Sequence, residues 1–297
     1  MTQPAPHHGQ PSAEIDLTPE LVRTLLQAQF PHLASRPITL VAEGWDNCMF
    51  RVGDDLTARL PRRTVAVPLM TNEQAWLAEL APRLPLPVPA PLHIGAPSAD
   101  YPWCWSIVPW LDGDTADVSP PRADEGATFA NFLRALHIPA PANAPTNSPR
   151  GVPLSSRVDA VAERANNLAA RGEDIGAATR TAWEDGLAAP IDVTGLWLHG
   201  DLHPRNVLVK DGRFSAIIDW GDMCAGDPAT DIGAIWMLFE TRAAREAALN
   251  SYAPSQATFT RARGWAAFFA IMLRGVTNNP PLTAVGGVTM QRLADGP

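Results

Sequence analysis

Lysine is almost absent from the chain: among 297 residues it occurs once, at Lys210, and every other permanently cationic side chain is an arginine. Any mechanism that needs a lysine must use that residue or accept a guanidinium. Cysteine is scarce as well. Cys48, Cys104 and Cys224 are odd in number, far apart and free of any CxxC pair, which excludes a disulfide framework and a thiolate metal centre and predicts reduced thiols. Long apolar runs are missing. The longest, Trp265 to Leu273, is about half of what a bilayer needs, and Met1 to Ser12 is polar and proline-rich without an apolar signal core. No membrane association and a cytoplasmic location are therefore expected. Basic runs are missing too: nothing exceeds the pair Arg62-Arg63, and a net charge of −8 repels phosphate backbones, so no nucleic-acid partner is expected. No repeat of 20 to 50 residues is found, which sets solenoids and propellers aside.

What is present is a chain long enough for two lobes, 46% hydrophobic and 18% charged, too apolar for disorder. Thr18-Pro19-Glu20 predicts a helix start: a hydroxyl cap, proline at the first helical position and an acid in the first turn, followed by Leu21, Leu25 and Leu26. From Ile38 to Leu60 the period becomes two. Cys48, Phe50 and Val52 alternate with polar neighbours, Gly53-Asp54-Asp55 can turn the chain, and Leu56, Ala58 and Leu60 alternate again, which places Thr57 and Arg59 on the opposite face of that strand. A helix is predicted from about Asn72 to Leu80, an extended proline-rich run over Pro82–Pro91, and a buried strand within Trp103–Leu111. Beyond residue 115 the pattern is mostly helical, with Phe129, Phe132, Leu133, Leu136 and His137 at helix spacing and a proline-rich loop from Ile138 to Pro153. Trp197-Leu198 is expected to pair with Val207–Val209, itself followed by a strand over Phe214–Ile218; Ile232–Phe239 and Trp265–Leu273 read as closing helices. The expected organisation is a flexible tail over residues 1–17, a small mixed lobe over 18–110 and a larger, mostly helical lobe over 111–297.

The polar segment His199-Gly200-Asp201-Leu202-His203-Pro204-Arg205-Asn206, followed by Ile217-Ile218-Asp219-Trp220, carries the chemistry. Two carboxylates and an amide, five and then thirteen positions apart, can converge at the open ends of neighbouring strands and hold a hard cation such as Mg²⁺ with a substrate phosphate. Phosphoryl transfer asks little else of a protein: a group that places the accepting hydroxyl and cations that neutralise the transferring charge.

The segment from His199 to Asp231 resembles the aminoglycoside phosphotransferase family, the small-molecule branch of the protein-kinase-like fold. The motifs are His199-Gly200-Asp201 with Asn206, Ile218-Asp219-Trp220, and Gly226-Asp227-Pro228 with Asp231. The resemblance implies an α+β, two-lobed protein-kinase-like fold with a small antiparallel-sheet N-lobe and a larger, mostly helical C-lobe. It also implies transfer of the γ-phosphate of ATP or GTP to a hydroxyl of a small molecule. Asp201 would be the base, and Asn206 and Asp219 would hold Mg²⁺. His199, His203, Asp227 and Asp231 take supporting roles in this reading, with bracing of Asp201 favoured for His203 over a phosphate contact.

In the small lobe, Glu43 to Asn47 resembles the nucleotide-covering loop, although a plain turn would have the same sequence. Arg59, in Arg59-Leu60-Pro61, stands where relatives carry a phosphate-contacting lysine; Glu73 resembles the acid that holds it. Ser106 to Trp110, with Ile107, Val108 and Trp110 as nucleotide contacts, would be the hinge beside the base, where Pro109 lacks a donor.

Aminoglycoside or other antibiotic acceptors lead, and choline-like alcohols, sugars and amino-acid derivatives stay open. Asp and Glu outnumber Arg and Lys 12 to 7 over residues 1–114 and 19 to 16 over the remainder, so acidity is not concentrated where a polycation should bind. A catalytically silent nucleotide-binding protein and an HxDxH metallohydrolase built on His199, Asp201 and His203 are the alternatives of other classes. The hydrolase lacks any histidine after His203, and upstream only His7-His8 is paired.

Overall fold

Thr18 opens the first helix as its cap pattern predicts: its Oγ1 accepts the Leu21 N–H at 3.2 Å, and α1 (Pro19–Gln29) buries Val22, Leu25 and Leu26. The computed structural model describes residues 12–296. The chain divides into two units, one formed by the chain up to Pro82 with Val88–Leu111, the other by Arg83–Pro87 with Asp112 onward.

In the first unit, the alternating region forms β1 (Ile38–Glu43), β2 (Asn47–Val52) and β3 (Leu56–Pro61). With β4 (His93–Gly95) and β5 (Trp105–Pro109) they make one antiparallel sheet in the order β1-β2-β3-β5-β4. Cys48, Phe50 and Val52 pair with Leu60, Ala58 and Leu56, so the period-two pattern lands on one face, packed with Tyr101, Trp105 and α1. The intervening residues of β3, Thr57 and Arg59, are buried as well, and Arg59 reaches across to α2 (Val67–Leu80). That helix starts five residues before the expected Asn72; Pro68 in its first turn carries no cost, since the N–H it lacks would have no helical partner there. Gln74 Nε2 ties α2 to β5 through the Trp105 carbonyl and the Ser106 hydroxyl, both at 3.0 Å.

Within the segment expected as a tail over residues 1–17, the described residues 12–17 make contacts with the first unit. The Glu14 N–H donates to the Arg62 carbonyl at 2.9 Å, its Oε2 accepts from Thr64, and Ile15 and Leu17 pack on the core. Residues 1–11, with His7 and His8, lie outside the described residues.

The second unit holds β6 (Asp114–Thr115), β7 (Leu196–Leu198), β8 (Val207–Lys210), β9 (Arg213–Ile217) and β10 (Cys224–Gly226). Its helices are α3 (Gly126–Leu136), α4 (Val158–Ala170), α5 (Ala177–Ala188), α6 (Ala229–Ile232), α7 (Ala234–Leu238), α8 (Arg242–Tyr252), α9 (Gln256–Arg274) and α10 (Pro280–Ala294). The apolar α9 packs against α5, α10, α6 and α4. Strands β8 and β9 form a hairpin across Asp211-Gly212, both at positive φ (54° and 76°), the geometry a two-residue turn needs to match strand twist. The expected pairing of Trp197-Leu198 with Val207–Val209 is corrected: β8 lies between β6 and β9, and β7 pairs with β10, a strand the sequence reading did not anticipate. Three residues of β10, two of them small, offer too short a period-two signal to read. Among the described residues no helix is long and apolar enough to cross a membrane.

Candidate active site

The segment after β7 is built from behind by a carboxylate. Asp231, fully buried, accepts the His199 and Gly200 N–H groups on its two oxygens, each at 2.8 Å, and His137 lies 3.3 Å from Oδ2. Gly200 sits at φ 87°, and a Cβ there would meet the Asp222 carbonyl at 2.6 Å, so only glycine fits this turn. His199 is buried beneath Trp220, ring centroids 4.7 Å apart. Its Nδ1 accepts the Asp201 N–H at 3.2 Å, and its Nε2 donates to the Ile218 carbonyl at 2.9 Å. Both ring nitrogens are thus committed, which removes His199 from the HxDxH metal site considered above. Asp227 caps the Ala229 N–H at 3.0 Å and binds Arg261 through both oxygens, at 2.6 and 3.0 Å. Asp227 and Asp231 stand behind the loop and do not face into it.

Asp201 stands in a ring of donors. Arg150 Nη2 donates to its Oδ1 at 2.8 Å, while His203 Nε2 and Asn206 Nδ2 both stand 3.5 Å from Oδ2. His203 Nδ1 accepts the Arg205 N–H, so the imidazole is braced from the loop side. Desolvation by itself would raise the Asp201 carboxyl, but Arg150, then His203 and His199, outweigh it and hold the group below the usual carboxylate range. Asp222 moves the other way: desolvation and then the Asp201 charge push it up against the relief from Arg150 and Asn147. Arg150 and Asp222 were not singled out from the sequence. Arg150 lies 51 positions from Asp201 inside a proline-rich loop, and no periodic signal joins them. Asp222, three residues past Asp219, could have been noticed as a third nearby acid.

Asn206 and Asp219 are brought side by side by a backbone bond: the Ile218 N–H donates to the Asn206 carbonyl at 2.9 Å. The Asn206 amide nitrogen donates to the Asp201 carbonyl at 2.9 Å, which orients its Oδ1 as the acceptor atom. Asp219, two residues past the end of β9, is exposed and adopts the left-handed conformation at φ 61°, a strained state for a non-glycine residue. This pair of hard oxygen donors fits Mg²⁺, which keeps several waters and phosphate oxygens and asks for only one or two protein ligands. No group of three or more His, Cys, Asp or Glu that could hold a metal occurs among the described residues.

In the first unit, Arg59 and Glu73, both buried, form a bidentate pair, with Nη2 to Oε1 at 3.0 Å and Nη1 bonded to Oε2. The segment Gly44–Asn47 is a tight turn closed by the Gly44 N–H on the Asn47 carbonyl at 2.8 Å. Arg62 donates to the Gly44 carbonyl at 2.8 Å and Arg63 pairs with Asp46 at 3.0 Å, so both arginines serve the turn itself. Asn47 Oδ1 is buried without a hydrogen-bond partner. Along β5, the Ile107 carbonyl accepts the Leu92 N–H and Val108 pairs with Thr57 in the ladder. The Trp110 N–H is spent on the Asp55 carbonyl at 2.8 Å, and the Trp110 ring lies 4.0 Å from the Arg51 guanidinium carbon. Trp110 thus offers no amide to a base edge.

The antiparallel sheet of the first unit and the helical second unit, with its aspartate-bearing loop, define a protein-kinase-like phosphotransferase fold. The chain belongs to the phosphotransferase enzyme family, which its residues 37–266 match. The GDP and kanamycin complex of the aminoglycoside phosphotransferase APH(2'')-IIIa superposes with a TM-score of 0.67 over 93% of this chain and 99% of that one, at 15% identity. The macrolide 2'-phosphotransferase MphH from Brachybacterium faecium superposes with a TM-score of 0.56 over 90% and 97%, at 23% identity. The uncharacterized protein YcbJ of Bacillus subtilis is 27% identical over 201 residues; the aligned stretch covers 62% of this chain and spans 61% of that curated relative's length.

Proposed function

We propose that the protein transfers the γ-phosphate of ATP or GTP to a hydroxyl of a small molecule, with aminoglycosides and macrolides the first acceptor classes to test. One observation carries this reading: Asp201, Asn206 and Asp219 are locked together by the Asn206–Asp201 and Ile218–Asn206 hydrogen bonds. Asp201 is the proposed base. Its Oδ1 is engaged by Arg150, and its Oδ2 meets only contacts of 3.5 Å, so Oδ2 is the atom that accepts the hydroxyl proton. A carboxylate held below its usual range is a weak base. That suits a loose phosphoryl-transfer transition state, in which positioning counts for more than proton abstraction. Asn206 Oδ1 and Asp219 would hold Mg²⁺, which when bound supplies charge neutralisation on the phosphates. Arg59, oriented by Glu73, is the proposed phosphate contact of the first unit, doing with a guanidinium what a lysine does in relatives. Asn47, Ile107 and Val108 are proposed nucleotide contacts.

The test is release of ADP or GDP from Mg-nucleotide by purified protein across kanamycin, streptomycin, erythromycin, choline and simple sugars. Acceptor-dependent release with at least one compound is expected. Release at background with every acceptor and both nucleotides, from protein that binds nucleotide, would replace this reading with that of a silent nucleotide-binding protein.

A further inference from the structure

The proline-rich loop between α3 and α4 reads from the sequence as a connector, yet it is fastened along its length. The Pro145 carbonyl accepts the Ala225 N–H and the Gly151 carbonyl accepts the Asp227 N–H, each at 2.9 Å, which lays the loop along β10. Gly151 sits at φ 65°, where a Cβ would come within 2.7 Å of Leu198 and 3.1 Å of Gly226, so the loop approaches as closely as backbone allows. Between these anchors, Asn147 Oδ1 accepts the Arg150 N–H at 3.2 Å and Asn147 Nδ2 donates to Asp222 Oδ1 at 2.7 Å. The Arg150 guanidinium carbon lies 5.1 Å from the centre of the Phe269 ring, on α9. From there Nη2 donates to Asp201 Oδ1 at 2.8 Å, and Nε stands 3.7 Å from Asp222 Oδ2.

This is more restraint than a surface arginine receives. Immobilising a long, rotamer-rich side chain costs conformational entropy; here the backbone cap, the aromatic face and two carboxylates offset that cost at one point in space. The recipient is one oxygen of the proposed base. We propose that Arg150 is a positioning residue for Asp201: by fixing Oδ1, it presents Oδ2 alone, in one orientation, to the acceptor hydroxyl. The inference rests on the kinase reading of the site. Arg150 acts through Asp201 and needs no contact with the nucleotide.

Basal hydrolysis of Mg-ATP and Mg-GTP, with water as the acceptor, tests this without knowledge of the natural substrate. Wild type, Arg150→Met, Arg150→Lys, Asp201→Asn and the double variant Arg150→Met with Asp201→Asn are compared, with thermal midpoints as the control for folding. Methionine keeps the apolar stem against Phe269 and removes the donors. Arg150→Met is expected to lower kcat on the order of tenfold with nucleotide KM within about twofold, and Arg150→Lys to recover part of the loss. In the Asp201→Asn background the same substitution is expected to cost less than about twofold, since a residue acting through Asp201 has nothing left to position. Equal losses in the two backgrounds, or a loss confined to KM, would overturn the assignment. If Arg150→Met does not fold, the lysine variant carries the same two-background comparison. Where water is too poor an acceptor to give measurable turnover, the same comparison is run with whichever compound of the acceptor panel supports release. Wild-type protein that turns over neither nucleotide with water or with any acceptor sinks the kinase reading and this inference with it; wild-type turnover that Arg150→Met leaves unchanged sinks this inference alone.

Discussion

At the scale of single residues, the scarcity of lysine becomes a statement about charge placement. Lys210 lies on β8, exposed and 3.6 Å from Asp112, so the cation expected at the phosphates is Arg59. Arg59 pairs with Glu73 in a setting where both side chains are almost entirely shielded from water. Glu73→Ala leaves a buried guanidinium without its counter-ion and is expected to cost about 3–5 kcal/mol of stability by chemical denaturation. A cost under about 1 kcal/mol, the range of exposed pairs, would mean that water reaches Arg59. Arg59→Ala is expected to raise the nucleotide KM. Because Arg62 and Arg63 hold the Gly44–Asn47 turn, their replacement should disturb that turn before it touches phosphate directly. Asp219→Ala is expected to weaken Mg-nucleotide binding by about tenfold or more in calorimetry, and unchanged affinity would contradict the metal assignment. The spacing of Asp201, Asn206 and Asp219 was legible in the sequence because the three residues sit on one short loop and just past the end of the next hairpin. Arg150 was not, since its partner is distant in the chain and its own loop carries no period.

At the scale of elements, what the sequence shows is the local rule and what it hides is the partner. The cap at Thr18, the alternation along β2 and the turn over Gly53-Asp54-Asp55 each follow from neighbouring residues, and the structure has them where expected. The pairing of β7 with β10 joins residues some 26 to 30 positions apart, Leu198 with Cys224 and Leu196 with Gly226, a long-range outcome that no short window of residues encodes. Asp231 is the element-level support of that loop. Asp231→Ala strands two buried backbone N–H groups, each worth about 1–3 kcal/mol, and should destabilise the protein while speeding hydrogen exchange at the Gly200 amide. Exchange at Gly200 as slow as in wild type would mean that another acceptor holds the loop. The start of α9 makes a separate pH prediction. Burial alone would raise the Asp192 carboxyl, but hydrogen bonds from Ser255, Thr258 and Arg261 bring it down to about 2. A depressed folded-state value means that the stabilisation is complete above the unfolded value near 4 and is lost as pH falls toward about 2. Denaturation midpoints in that window should fall less steeply for Asp192→Asn than for wild type; parallel curves would remove Asp192 from the acid response.

At the scale of the whole molecule, the family match over residues 37–266 spans parts of both units, and the proposed functional residues are distributed between them. The net charge of −8 is not by itself an argument for a polycationic acceptor. In the second unit, Asp201 and Asp222 already share Arg150, and Asp227 is paired with Arg261. The acceptor panel therefore has to include neutral hydroxyl compounds beside aminoglycosides. The central claim is phosphoryl transfer with Asp201 meeting the acceptor, and the most direct measurement is mass spectrometry of each acceptor after incubation with Mg-ATP or Mg-GTP, run in parallel with wild type and Asp201→Asn. One acceptor that gains a single phosphate with wild-type protein and none with Asp201→Asn, at unchanged nucleotide affinity, is the expected result. Phosphorylated product formed equally by Asp201→Asn would contradict the account.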